Sequence, residues 1–162
     1  MRCNSRVTAA VRRPRSQKWE RKFLSINLFV KSMYIKEFDA WNQVKKHLNE
    51  DDRKVNIRAG DVRWIAFGVN IGSEIDGKGK AFTRPGLIVD VSGSNYAFVI
   101  PMSTRIKDTA GYIPIEFKGK TVSLCVHQCK SISQKRILRR IGHMADSHLQ
   151  EFKDEVKRFY KL

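Results

Sequence analysis

Cysteine is scarce in this chain. Cys3, Cys125 and Cys129 are the only three, an odd number with no CxxC pair. That pattern argues against a disulfide scaffold. Cys125 and Cys129 flank His127 near a strand exit, but no fourth ligand stands close, so no metal is expected. Long apolar runs are also missing. FLSINLFV, residues 23–30, follows basic residues as a signal core would, yet it is too short to span a bilayer and no small-residue cleavage pattern follows. A cytoplasmic protein without membrane contact is expected. Acidic residues are few: 16 Asp and Glu stand against 32 Lys and Arg, for a formal net charge of +16. Charge of this size speaks to partners and not to fold, and nucleic acid or an acidic protein is the natural candidate. Internal repeats and interdomain linkers are absent as well.

The basic residues concentrate at the start. MRCNSRVTAAVRRPRSQKWERKF holds a single acid, Glu20, and no helical apolar period. Residues 1–32 read as a basic, poorly ordered extension, and Met33 as a candidate internal start. Residues 33–162 are then the domain, long enough for a real core. Asp39 is placed to cap a helix through AWNQVKKHLNE, with Phe38, Trp41, Val44 and Leu48 as its apolar stripe. DVRWIAFGV, GLIVDV, YAFVIP, YIPIEF and TVSLCV read as strands. The short spacing between them leaves no room for crossover helices, which argues against a doubly wound α/β fold. A mainly β chain is expected, curled into an antiparallel sheet or barrel. SISQKRILRRIG is read as a short helix ending at Gly142. Ser147 and Gln150 form a capping-box pattern before a last helix with Leu149, Phe152 and Val156 on one face.

The chemistry gathers around GSEIDGKGKAFTRPGLIVDV, residues 72–91. A glycine-rich loop bearing Lys78 and Lys80 leads into Arg84 at the mouth of a strand. Ser103 and Thr104 follow a second strand, and His127 and Gln128 follow a third. Arginine presents a planar fork of donors to phosphate oxygens. A hydroxyl donates to the same group, and histidine exchanges protons near neutral pH. Those types suit RNA cleavage, where the substrate brings its own 2′-OH nucleophile and needs neither metal nor organic cofactor. Each residue also has a plain alternative. Arg84 suits a rim salt bridge, Ser103 and Thr104 suit a turn cap, and His127 suits a structural hydrogen bond.

From about Ile57 to Leu162 the chain resembles the MazF/PemK family of type II toxin endoribonucleases. The likeness runs through GDVRWIAFGVNIGSE, DGKGKAFTRPGLIV, VIPMST and SLCVHQCKSIS to the helix after GHMADSHLQ. It implies an SH3-like barrel with short helices and a C-terminal helix, usually a homodimer. It implies metal-independent cutting of single-stranded RNA through a 2′,3′-cyclic phosphate, and a small antitoxin as partner. The family's arginine before proline falls on Arg84, and its catalytic threonine falls on Ser103, or on Thr104 in a register one residue later. His127 is the third catalytic candidate. Ser73, Lys78, Lys80, Thr104 and Gln128 are the RNA-binding candidates. Where some relatives use an arginine and an aspartate before the glutamine, this chain has Cys125 and His127. A noncatalytic nucleic-acid module and a basic interaction module for an acidic antitoxin are the alternatives.

Overall fold

Aromatic and β-branched runs set the strands. The computed structural model describes residues 35–93 and 95–162; the extension expected over 1–32, the FLSINLFV run and Met33 lie outside them. The described residues form seven strands: β1 (Asp61–Ala66), β2 (Thr83–Ser92), β3 (Tyr96–Ser103), β4 (Tyr112–Phe117), β5 (Lys120–Cys125), β6 (Lys130–Ser133) and β7 (Ile137–His143). Two helices accompany them, α1 (Phe38–Glu50) and α2 (Asp146–Tyr160).

Every strand pair is antiparallel. The sheet runs β4-β5-β3-β2-β1-β7, with β6 added beside β3. β3 divides its outer edge: Tyr96–Val99 pair with β6, whereas Met102 and Ser103 pair with β5. The expected SH3-like barrel is not what forms. Closure requires the end strands β4 and β7 to pair, and among the described residues they do not. The Phe117 ring lies against Gly142, where a Cβ would come within 2.8 Å of it, so these end strands meet through a side chain and not through a ladder. With helices of 13 and 15 residues, the fold is an open sheet of mixed helix and strand content rather than a mainly β barrel.

β2 is buried on both faces at its centre. Leu87 and Val89 join Val62, Ile100, Met102 and Leu124 on one side, and Leu149, Phe152 and Val156 of α2 cover that cluster. Ile88 joins Ile65, Phe67, Val99 and Ile137 on the other. The α2 stripe is therefore as the apolar spacing indicates. Its start is not: the chain enters through Ala145, no side chain caps the helix, and Gln150 donates to Asp154 instead. Asp39 likewise lies within the first turn of α1 and not at its cap. Of the α1 stripe, Trp41 is buried while Phe38 is half exposed. Trp41 packs on Ala66 and Phe82. Its indole fills the place of a side chain at Gly68, where a Cβ would fall 2.2 Å from the ring and φ is +86°.

SISQKRILRRIG is not a helix. Its first residues close β6, Gln134–Arg136 make one 3-10 turn, and the rest forms β7 against β1. Buried Asp61 favours this arrangement. Its carboxylate accepts from Arg63 Nε and Nη2 at 3.1 and 2.9 Å and from Arg140 Nε at 2.9 Å, with His143 Nδ1 at 3.3 Å. Two of these partners come from β7, so pairing there brings the Arg140 guanidinium and a His143 ring nitrogen to a buried charge. Burial alone would raise the Asp61 pKa, but the Arg63 hydrogen bonds and charge, with Arg140 and His143, hold it below the ordinary value.

Candidate active site

The sheet register assembles the site. Gly86 pairs with Pro101, which carries Arg84 of β2 and Ser103 of β3 toward each other. Ser103 pairs with Ser123, and Tyr112 with Cys125, so β4 and β5 add the far wall. A 3-10 turn at Val126–Gln128 then delivers His127 and Gln128. These strand ends surround a cavity of about 280 Å³. Arg84, Ser103, His127, Ser73, Lys78 and Gln128 all line it, and sequence reasoning had named each of them. Arg105, Lys107, Tyr112 and Asp76 also line it and had not been singled out. The signal for two of them was present: the polar loop after Ser103 carries cations at 105 and 107. Thr104 instead lines a neighbouring apolar groove, with Trp64, Phe117 and Ile141, that shares Arg84 and Ser103 with the cavity. Lys80 is exposed at the loop tip and lines neither.

Each central side chain has one hydrogen-bonding function committed and one left over. Arg84 Nε donates to the Asp76 carbonyl. Among the described residues nothing accepts from its two terminal nitrogens. Burial lowers the Arg84 pKa from its ordinary value, but a guanidinium starts so high that it stays charged. Ser103 Oγ accepts from the Arg105 N–H at 3.1 Å, so the turn-cap role is real. That bond uses a lone pair and leaves the O–H proton available. His127 Nδ1 lies 3.0 Å from the Gly111 carbonyl. A carbonyl only accepts, so Nδ1 carries the proton and a neutral ring keeps its lone pair on Nε2. The Tyr112 ring packs on the imidazole at 4.6 Å, and Lys107 Nζ sits 5.0 Å from the centre of the Tyr112 ring. Burial pushes the Cys125 thiol up to about 11, despite the charges of Arg84 and Lys107, which disfavours the thiolate at neutral pH.

The glycine-rich loop is tethered rather than floppy. Gly77 N–H donates to Gly68 at 2.7 Å, and Lys78 and Thr83 exchange hydrogen bonds at 2.8 and 3.0 Å. The backbones are so close that a Cβ on Gly77 would lie 1.7 Å from the Phe82 carbonyl oxygen. Gln128 Oε1 accepts from the Ile75 N–H at 3.1 Å, which makes it a tie between loop and 3-10 turn. The cavity wall carries Lys78, Arg84, Arg105 and Lys107 against Glu74 and Asp76, a balance suited to an anion. Among the described residues no three His, Cys, Asp or Glu side chains gather as a metal-ligand set, and no helix is long and apolar enough to cross a membrane.

A cationic cavity built from strand ends on an antiparallel sheet defines a candidate phosphate-handling protein. The family model described as PemK-like, MazF-like toxin of type II toxin-antitoxin system matches residues 58–160. The chain belongs to this family of RNA-cleaving toxins. Among solved structures it is similar to MazF (Form-I) from Deinococcus radiodurans, with 18% identity and a TM-score of 0.55, over 67% of this chain and 99% of that one. It is also similar to MazE-MazF (Form-II) from the same organism, with 15% identity and a TM-score of 0.51, over 67% of this chain and 98% of that one. At such identities the likeness is one of fold. No curated protein sequence matches the chain.

Proposed function

We propose that this toxin cuts single-stranded RNA by transesterification, with Arg84, Ser103 and His127 as its catalytic residues. The observation that carries the reading is their convergence on one cavity, each with an uncommitted donor or acceptor. The 2′-oxygen attacks phosphorus and the bond from phosphorus to the 5′-oxygen breaks. The products are a 2′,3′-cyclic phosphate and a 5′-hydroxyl. The terminal nitrogens of Arg84 and the O–H of Ser103 donate to the phosphoryl oxygens as charge builds there. His127 Nε2 takes the proton from the 2′-OH, and the imidazolium returns a proton to the departing 5′-oxygen. Attacking and leaving oxygens belong to one substrate strand, so alignment supplies much of the acceleration.

Lys78, Arg105 and Lys107 hold the flanking phosphates, and Lys80 and Thr104 contact RNA beyond the cavity. The overall positive charge favours encounter with RNA and with an acidic antitoxin. Cytoplasmic residence and a homodimeric state belong to the same reading.

The test is cleavage of a long defined RNA in EDTA, with mass analysis of the ends and an Arg84→Ala control. Cyclic phosphate ends and a strongly slowed control are expected. Products with 3′-hydroxyl ends, or an Arg84→Ala protein as active as the parent, defeat the mechanism. A protein that binds RNA tightly and never cuts it identifies a binding module instead.

A further inference from the structure

Lys36 sits just before α1, outside the family-matched residues 58–160, yet its side chain ends in the loop that builds the cavity. Its ammonium donates to the Asn70 carbonyl at 2.6 Å and the Gly72 carbonyl at 3.1 Å. It also pairs with Asp76 Oδ2 at 3.1 Å, and both side chains are about four-fifths buried, with 19% and 21% exposed. The other carboxylate oxygen of Asp76 accepts from the Asn70 N–H at 2.6 Å. The Asp76 carbonyl in turn receives Arg84 Nε. Three links therefore join Lys36 to the guanidinium: ammonium to carboxylate, backbone of one residue, carbonyl to Nε. Trp41 of the helix that follows, α1, is seated on Gly68, the residue to which Gly77 of the same loop donates.

We propose that Lys36 is a positioning residue, supplied from just before α1 and ahead of the family-matched segment, that sets the direction of Arg84 through Asp76. The proposal rests on the catalytic reading of Arg84 above. Without the ammonium, the Asp76 carboxylate keeps one partner and the loop carbonyls at 70 and 72 lose their common donor. The Asp76 peptide then moves, and Arg84 follows it. Neither Lys36 nor its α1 neighbours line the cavity, so the effect falls on reaction geometry and not on RNA contact.

The experiment uses the full chain and single-turnover cleavage at saturating RNA, beside binding of an RNA carrying a 2′-deoxy residue at the cut. Lys36→Met is expected to lower the rate about tenfold or more, in line with small misplacements of a reacting group. Binding is expected to stay within about twofold, because the lost charge was already paired. Asp76→Asn keeps the side-chain oxygen for Asn70 N–H and loses the ion pair; it is expected to slow cleavage in the same direction, and it serves if Lys36→Met does not fold. A double-mutant cycle with Arg84→Lys, which lacks Nε, separates action through Arg84 from general loosening. In that background Lys36→Met should cost less than about twofold. Equal losses in both backgrounds, or no loss in the parent, overturn the proposal. An Arg84→Lys protein as fast as the parent overturns the catalytic reading instead.

Discussion

Replacing Asp61 by asparagine should make this protein easier to unfold while leaving its activity at 20 °C unchanged. Asp61 is 2% exposed and lies at the junction of β1 and β7. It accepts two hydrogen bonds from Arg63, itself only 8% exposed, and one from Arg140, while His143 adds a fourth contact. Asparagine keeps one oxygen and turns an N–H₂ toward these donors. Arg63 is then left in the interior without a counter-charge, and removing one partner of a buried pair costs about 3–5 kcal/mol. For a chain of this size that is a fall in Tm on the order of 10 °C. The pH dependence gives a second handle. The Asp61 pKa is held below its ordinary 3.8 in the folded protein. Its stabilisation is thus fully present above that value and is lost as pH falls through the lower, folded-state value. Urea unfolding of both proteins at pH 7 and at pH 2.5 measures the difference. A gap below about 1 kcal/mol at pH 7, or one that does not narrow in acid, refutes the reasoning. Single-turnover cleavage at 20 °C should match the parent, since Asp61 does not line the cavity.

Other substitutions address the site directly. Ser103→Ala removes the proposed phosphoryl donor but not the fold, and should slow single-turnover cleavage about a hundredfold with little change in binding to 2′-deoxy RNA. His127→Ala should cost roughly 10²–10⁴ in the same assay; cleavage within a factor of three of the parent would remove His127 from the mechanism. Gly77→Ala puts a methyl 1.7 Å from the Phe82 oxygen, so the Lys78–Thr83 pairing must open. Amide exchange at Lys78 and Thr83 should accelerate sharply while exchange at core positions such as Val99 and Ile100 is unchanged.

The lining of the candidate cavity was more legible in the sequence than the fold. Arg84, Ser103 and His127 were named from residue types at strand ends; registry between β2 and β3 brings the first two together, and a 3-10 turn adds His127. ILRRI defeated the same approach, because its apolar spacing serves a helix and a strand alike. As β7 it pairs with β1 and sets Arg140 and His143 beside Asp61, some eighty residues earlier, contacts that no local pattern reports. Barrel closure depended on whether two distant strands pair, and no local pattern reports that. Helix caps at Asp39 and Ser147 fit the sequence rules, yet each falls after the start of its helix. Lys36 carried no signal at all: one lysine in a lysine-rich chain acquires meaning only from the loop it reaches.

The anchored loop at 70–83 changes when its ordering cost is met. A mobile segment that closed on RNA would lose its backbone freedom at each binding event, about 1–2 kcal/mol per residue fixed. Here Gly68, Gln128 and Lys36 already hold it, so that entropy is lost once, during folding, and not again with each substrate. On the proposed reading, RNA meets a loop already held by these contacts. RNA binding should then weaken steeply as salt is raised, without a slow isomerisation step that salt leaves untouched.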